Sequence, residues 1–184
     1  MGHVGVEALV AGLDAIRAAP TDVGSLELIV SRPERLERDI VATGHLSTYF
    51  GLVGDNWLGR GSRRTADGSA EPGRQLTLMS SRAADLFAAG DRTRWADAGD
   101  QLYVDLNLSE DNVPAGTRLA IGPSSVVEIS ALPHTGCAKF LERFGRDVAR
   151  FVNAAENRSL HLRGINATVL ESGAIVVGDT VTKL

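Results

Sequence analysis

Cys137 is the only cysteine among 184 residues, and it carries the clearest potential for chemistry in the chain. It follows an apolar segment, residues 126–132, that is typical of a strand, and apolar residues at helical spacing begin at Phe140. We therefore expect Cys137 to lie in the first turn of a helix. Backbone N–H groups there lack partners and carry partial positive charge, which favours a thiolate. A thiolate is both a nucleophile and a soft metal ligand.

Two neighbours of this cysteine extend the candidate site. His134 precedes it by three residues and is a candidate second ligand or acid–base group, and Lys139 follows by two residues and adds a cation. Each candidate also has a simpler interpretation. A lone cysteine is often a small buried hydrophobe, and a histidine in a turn often only forms a hydrogen bond within that turn. The residues alone leave both interpretations open.

A second candidate region begins at Gly51–Trp57, where two glycines, Asp55 and Trp57 are typical of a tight turn that presents side chains. A long polar loop follows and ends near residue 73. It contains three arginines: Arg60, Arg63 and Arg64. Long loops in compact domains are often functional, and glycine-turn amides combined with arginines can hold an anionic ligand. The alternative is a mobile, solvated loop with the tryptophan buried in the core.

Composition limits the classes of protein to which the chain can belong. A hydrophobic share of 43% and a charged share of 23% are typical of a globular domain, and a net charge of −4 argues against a nucleic-acid binder. A single cysteine permits neither an intrachain disulfide nor a structural zinc site. The sequence shows no apolar segment of membrane-spanning length and no signal peptide. We therefore expect a cytoplasmic protein without a membrane partner.

The pattern of apolar residues predicts a mainly β fold with several peripheral α-helices. Strands separated by glycine-rich turns favour a closed or nearly closed β-barrel. Residues 1–31 are expected to form an N-terminal helix and a lead-in strand packed on the barrel, and residues 32–184 the barrel domain. Helices are predicted over residues 4–19, 82–89, 91–98 and 138–153, with partial helix over residues 34–42.

Several motifs, in their order and spacing, resemble the MOSC domain, the module named for the C-terminal part of molybdenum cofactor sulfurase. The resemblance runs from Arg32 to Lys183. The motifs that carry it are GLVGDNW at 51–57, QLTLM at 75–79, AGDQLYVDL at 98–106, GTRLAIG at 116–122, HTGCAKF at 134–140, RGINATVL at 163–170 and IVVGDTV at 175–181.

This resemblance implies a MOSC-type barrel, similar to the small barrel of pyruvate kinase, with a pocket around Cys137. In the family, the equivalent cysteine either ligates the molybdenum of a pterin cofactor or carries sulfur as a persulfide. Lys139 matches the cation that follows the cysteine, and His134 belongs to the same motif. The residues that we assign to cofactor binding are Asp55, Trp57, Arg60, Arg63, Arg64, Thr135, Gly136 and Arg163.

The chain departs from the family pattern directly before the cysteine. Family members often have proline there, whereas this chain has Gly136, with Pro133 further back. Three functions follow as hypotheses. The first is a molybdenum-cofactor protein that reduces N-hydroxylated small molecules with a separate electron donor. The second is a persulfide carrier or sulfurtransferase that is loaded by a cysteine desulfurase, and the third is a non-catalytic binding module.

Overall fold

A computed structural model describes residues 3–184 of the chain. Its strands are β1 (Val23–Ser31), β2 (Asp39–Val41), β3 (Thr43–Ser47), β4 (Gly51–Leu52), β5 (Leu76–Ser80), β6 (Leu102–Asp105), β7 (Arg118–Ile121), β8 (Ser125–Ile129), β9 (Ile165–Glu171), β10 (Gly173–Val176) and β11 (Thr180–Lys183). Its α-helices are α1 (Val6–Ala11), α2 (Leu13–Arg17), α3 (Trp57–Arg60), α4 (Ser81–Phe87) and α5 (Ala138–Asn153). Short 3₁₀ helices cover Pro72–Arg74, Arg92–Ala98 and Ala155–Leu160.

Seven of these strands close into a barrel. The order around it is β1, β6, β5, β9, β8, β7 and β11, and β11 pairs again with β1. Neighbouring strands are antiparallel except β5 and β6, which run parallel. Outside the ring, β2 pairs with the end of β1, and β3, β4 and β10 form a small separate sheet. This architecture confirms the predicted mainly β barrel with peripheral helices.

The strand β1 closes the barrel because it is long enough to pair with two barrel strands. Its first residues pair with β11, with Val23 opposite Thr182, and its middle pairs with β6, with Leu26 opposite Val104. The register with β6 shifts between Leu26 and Leu28, and such a bulge bends a strand. The strand that was predicted as a lead-in is thus one of the seven barrel strands, and the barrel starts earlier in the chain than expected.

The barrel interior is filled by aliphatic side chains that alternate with more exposed residues. In β8, Val127 and Ile129 are buried while Val126 and Glu128 are partly exposed, which is the two-residue period of a strand with one face inside. Other residues that fill this interior are Leu26, Ile29, Leu76, Leu78, Leu102, Val104, Leu119, Ile121, Ile165, Ala167, Val169 and Val181.

A second apolar core lies between the outer surface of the barrel and the helices. Phe87 of α4 meets Phe140 of α5 edge to face, with ring centroids 6.0 Å apart, and Phe144 lies beside both. Tyr103 of β6 is fully buried in this layer, and its hydroxyl donates a hydrogen bond to the carbonyl of Trp95 at 2.7 Å. The aromatic packing fixes the first turn of α5, directly after Cys137.

Two predicted helices differ in the structure. The helix expected over 4–19 is divided into α1 and α2 at Gly12, where a Cβ atom would lie 2.5 Å from a methyl carbon of Leu86. The partial helix over 34–42 is wrong, because residues 39–41 form β2 and pair with β1. Pairing with a neighbouring strand overrides a weak local preference for helix.

Among residues 3–184, no helix combines the length and the apolar character that crossing a membrane would require.

Candidate cofactor site

Cys137 is exposed and occupies the N-cap position of α5, at the end of the loop that follows β8. Its carbonyl accepts the backbone N–H of Leu141 at 3.0 Å, so the residue belongs to the first helical turn. Its side chain caps no backbone N–H group of that turn. The thiol is therefore presented to solvent beside the unpaired N–H groups of a helix start.

The peptide before the cysteine is held by Asn153, at the far end of the same helix. Its Oδ1 accepts the N–H of Gly136 at 3.1 Å, and its Nδ2 lies 2.9 Å from the carbonyl oxygen of Ala149 and 3.5 Å from that of Gly136. A straight helix would separate the two ends by about 25 Å. They meet because α5 is kinked at Gly145, whose φ of +88° is accessible to glycine.

His134 precedes Gly136 by two residues, and only 16% of its side chain is exposed. Its Nδ1 is 3.4 Å from Oδ1 of Asp100, and neither atom has a hydrogen-bond partner among the described residues. Burial, followed by the positive charge of Arg163, lowers the pKa of His134 well below its ordinary value, so the ring is neutral near pH 7. The neutral tautomer with a proton on Nδ1 faces the carboxylate favourably and leaves Nε2 as the basic nitrogen.

Asp100 is fully buried and joins His134 to Arg163. Its Oδ2 accepts a hydrogen bond from Nη1 of Arg163, whose Nη2 donates to the carbonyl of Ala98 at 2.7 Å. Burial raises the pKa of Asp100, and the adjacent guanidinium opposes that rise. The same guanidinium lies 4.8 Å from the ring centroid of Phe140. Arg163 is thus an internal anchor for the start of α5.

Asp55 is also an internal partner of an arginine. Its carboxylate is 0% exposed and forms two hydrogen bonds to the guanidinium of Arg32, at 2.7 and 3.0 Å. It also accepts the backbone N–H groups of Arg32 and Trp57. A third nitrogen of the guanidinium donates to the carbonyl of Gly99 at 3.1 Å. Asp55 therefore fixes Arg32 and the turn before α3.

A wide groove with a volume of about 1340 Å³ opens above this ion pair. It is lined by Trp57, by two carboxylates, Glu34 and Glu71, and by eight cationic side chains, and we call it the arginine groove. The cations are Arg32, Arg35, Arg38, Arg60, Arg63, Arg64, Arg74 and Lys139. Since the whole chain has a net charge of −4, this concentration of positive charge is a local feature that favours an anionic ligand.

Comparison with known protein families decides the identity of this barrel. A sequence profile of the MOSC domain matches residues 65–182. The chain belongs to the MOSC domain family. No curated protein gives a significant match to this MOSC protein.

Solved structures with the same fold are distant in sequence. YuaD from Bacillus subtilis superposes with a TM-score of 0.61 at 17% identity, over 86% of this chain and 94% of YuaD. YiiM from Escherichia coli gives a TM-score of 0.56 at 17% identity, over 87% of this chain and 69% of YiiM. YiiM from Geobacillus stearothermophilus gives 0.53 at 14% identity, over 90% and 74%. At these identities the likeness shows the fold alone.

The structure of this MOSC protein separates the predicted site residues into two groups. Five of them line the arginine groove: Trp57, Arg60, Arg63, Arg64 and Lys139. The others do not line the groove. The side chains of Asp55 and Arg163 are buried in the interior. His134, Thr135, Gly136 and Cys137 lie in the segment 133–137 before α5, which we call the cysteine turn. Lys139 connects the groups, because it lines the groove and follows the exposed thiol by two residues.

Sequence reasoning missed four of the groove arginines and the buried carboxylate that lies beside His134. Three of the arginines, Arg32, Arg35 and Arg38, recur at intervals of three residues, a signal that was interpreted only as mixed helical character. Arg74 pairs with Glu71 at 2.8 Å and donates to the carbonyl of Pro133 at 3.0 Å. This second contact ties the groove wall to the cysteine turn. The buried carboxylate, Asp100, gave no such signal.

Proposed function

We propose that this MOSC protein binds a molybdenum-containing pterin cofactor, with Cys137 as the protein ligand to the metal and the arginine groove as the site for the phosphorylated part of the cofactor. The observation that carries the proposal is the cationic groove, which reaches Lys139 beside an exposed thiol. The groove supports binding of an anion, and the thiol supports binding of a soft metal, so the two features together favour a ligand that combines both.

The donor atoms present in the chain fit such a group. Among residues 3–184, no three His, Cys, Asp or Glu side chains cluster in a way that could hold a bare metal ion. A metal at Cys137 would therefore depend on further ligands that arrive with it, as in an organic metal cofactor. Guanidinium groups bind phosphate oxygens in pairs, which suits the groove to a phosphorylated ligand.

The residues around Cys137 have separate tasks in this proposal. The bound cofactor would supply two-electron redox chemistry for reduction of an N-hydroxylated small molecule, with electrons from a separate donor. Asn153 holds the peptide before Cys137 in place, and neutral His134 has Nε2 available as a proton acceptor. A proton on Nδ1 would face the carboxylate of Asp100, 3.4 Å away, and this arrangement favours Nε2 as the basic nitrogen.

Expression in a host that makes the molybdenum cofactor tests this proposal. We expect the purified wild-type protein to contain stoichiometric molybdenum and the Cys137→Ser variant to contain almost none, because a hydroxyl is a poor ligand for a soft metal. Arg118→Gln, which alters an exposed ion pair with Glu128 outside the groove, should retain the metal. Wild-type protein without molybdenum from such a host would refute the proposal.

A persulfide carrier is the second candidate, and the exposure of Cys137 favours it. The thiol lies outside the groove lining, where a separate cysteine desulfurase can reach it. Incubation with a desulfurase and free cysteine should then add the mass of one sulfur atom to the wild-type chain and none to Cys137→Ser. An unchanged wild-type mass would exclude this function. If both candidate functions fail, a non-catalytic MOSC binding module remains.

A further inference from the structure

The arginine groove contains more positive charge than its surroundings neutralise. Arg32 is paired with Asp55 and Arg74 with Glu71, and Glu34 is the one other carboxylate in the lining. Eight cations thus face three carboxylates, which leaves an excess of five positive charges. Six cations have no salt-bridge partner among residues 3–184: Arg35, Arg38, Arg60, Arg63, Arg64 and Lys139.

Two of these unpaired cations, Arg38 and Arg60, are held in unfavourable surroundings. Burial lowers the pKa of both guanidinium groups, and the charge of Arg32 lowers each of them further. Arg143 adds to the repulsion at Arg38, whose Nε is buried without a hydrogen-bond partner in the described part of the chain. An anion bound beside these guanidinium groups would offset this repulsion and supply the missing acceptor for Nε of Arg38.

We propose that the arginine groove binds a ligand with two linked phosphate groups, and that a single phosphate does not satisfy it. The inference deepens the proposed function, because it assigns a ligand class to the same groove. Arg38 and Arg60 form one phosphate subsite beside Arg32, and Arg63 and Arg64, on the loop after α3, form the other.

Charge and size both support a diphosphate. One phosphate group carries a charge of about −1.5 to −2 near neutral pH, so it offsets less than half of the excess in the groove. Two linked phosphates offset considerably more. The groove volume of about 1340 Å³ is also larger than the roughly 300–1,000 Å³ of a pocket for a drug-sized ligand. A nucleoside diphosphate or a cofactor with an internal diphosphate has the required extent.

Titration with simple phosphates tests the ligand class without any molybdenum. The chain has two tryptophans, so Trp95→Phe leaves Trp57, which lines the groove, as the sole tryptophan reporter. At constant ionic strength, we expect pyrophosphate to bind at least tenfold more tightly than inorganic phosphate. Calorimetry on the wild-type protein repeats the comparison without a substitution. Equal affinities for the two anions would overturn the proposal.

A third titration with ADP identifies the source of the diphosphate. Tighter binding of ADP than of pyrophosphate assigns the groove to a nucleotide-bearing ligand. Equal binding assigns it to the linked phosphates alone. In both cases inorganic phosphate must bind more weakly, since the proposal depends on that difference.

Charge-neutral variants separate the two subsites. Arg38→Gln and Arg60→Gln should weaken pyrophosphate binding about tenfold each, because each removes one cation of the subsite beside Arg32. The double variant Arg63→Gln/Arg64→Gln should weaken pyrophosphate binding and leave phosphate affinity within about twofold. Arg118→Gln is the matched control, because this exposed arginine on β7 pairs with Glu128 away from the groove. An equal loss in the control would show unspecific attraction and overturn the proposal.

The two proposals fail in different ways. Tight pyrophosphate binding by a protein that lacks molybdenum after expression in a competent host contradicts the proposed function alone. Stoichiometric molybdenum in a protein without preference for pyrophosphate contradicts the diphosphate inference alone.

Discussion

Asn153 and Gly136 form a hydrogen-bonded pair that connects the two ends of α5: the Gly136 N–H donates to Oδ1 of Asn153 at 3.1 Å. A Cβ atom on residue 136 would lie 2.9 Å from Nδ2 of Asn153 and 3.2 Å from a methyl carbon of Val152. Proline, which is frequent before the family cysteine, restricts the backbone by itself and donates no N–H. In this chain, the hydrogen bond from Gly136 to the side-chain amide of Asn153 restricts the backbone at this position instead.

We call this hydrogen-bonded pair the clamp. It predicts that the losses of stability caused by substitutions at Gly136 and at Asn153 are not additive. Asn153→Ala removes the acceptor of the Gly136 N–H and should lower the free energy of unfolding by about 1–2 kcal/mol. Gly136→Ala should cost about 1 kcal/mol, because its methyl group displaces the Asn153 amide and weakens this hydrogen bond. In the double variant the methyl group no longer meets that amide.

Urea unfolding of the wild type, both single variants and the double variant measures this coupling. We expect the double variant to be more stable than the sum of the single losses implies, by about 0.5–2 kcal/mol. Strict additivity would show that the two residues do not act on each other.

The buried ion pair between Arg163 and Asp100 predicts a large loss of stability when one partner is removed. Arg163→Met leaves the carboxylate, which is 0% exposed, without its guanidinium partner. Removing one member of a buried pair typically costs about 3–5 kcal/mol. The matched control is Arg118→Met, because that arginine is 59% exposed and its pair with Glu128 should contribute at most about 1 kcal/mol. Similar losses in both variants, measured by urea unfolding, would contradict the assignment of Arg163 as an anchor.

The lowered pKa of His134 predicts that acid destabilises the fold. In the unfolded chain the ring binds a proton near pH 6.5, whereas the folded protein resists protonation to a lower pH. Between these two values the unfolded state binds more protons, so the free energy of unfolding falls as the pH decreases, by up to about 1.4 kcal/mol per pH unit. Above pH 6.5 this stabilisation is fully present.

Urea unfolding between pH 7.5 and pH 5 tests whether the free energy of unfolding falls as the pH decreases. The groups that face the ring are Asp100, Arg163, Arg32 and Arg74. The raised pKa of Asp100 acts in the opposite direction, since it favours the folded state at low pH. His134→Asn retains these neighbours and should lose less stability than the wild type over the same interval. Parallel pH profiles for the two proteins would show that the imidazole is not buried as a neutral group.

The sequence predicted the features that depend on near neighbours along the chain. The helix after Cys137 has the predicted bounds, 138–153, because apolar spacing and the aromatic residues of its first turns act locally. Residues 34–42 were misread, because β2 exists through pairing with β1. Local spacing carries no information about such pairing.

The candidate site was less predictable for the same reason. Asp55 and Arg32 are 23 residues apart, and Asp100 and Arg163 are 63 apart, so neither pair leaves a pattern in the sequence. Asp55 was assigned to cofactor binding from its motif, without its arginine partner, and Asp100 was visible only as an acidic residue within another motif. Composition identified a chain with a negative net charge, and only the fold brings seven of its arginines together around one groove.

The position of β1 has a practical consequence for fragments of this protein. A fragment limited to the segment that matches the MOSC profile, residues 65–182, would lack the strand that lies between β6 and β11. Both strands would then present unpaired backbone donors and acceptors along open edges, which are sites of aggregation. Recombinant expression of the domain should therefore include the chain from before Val23.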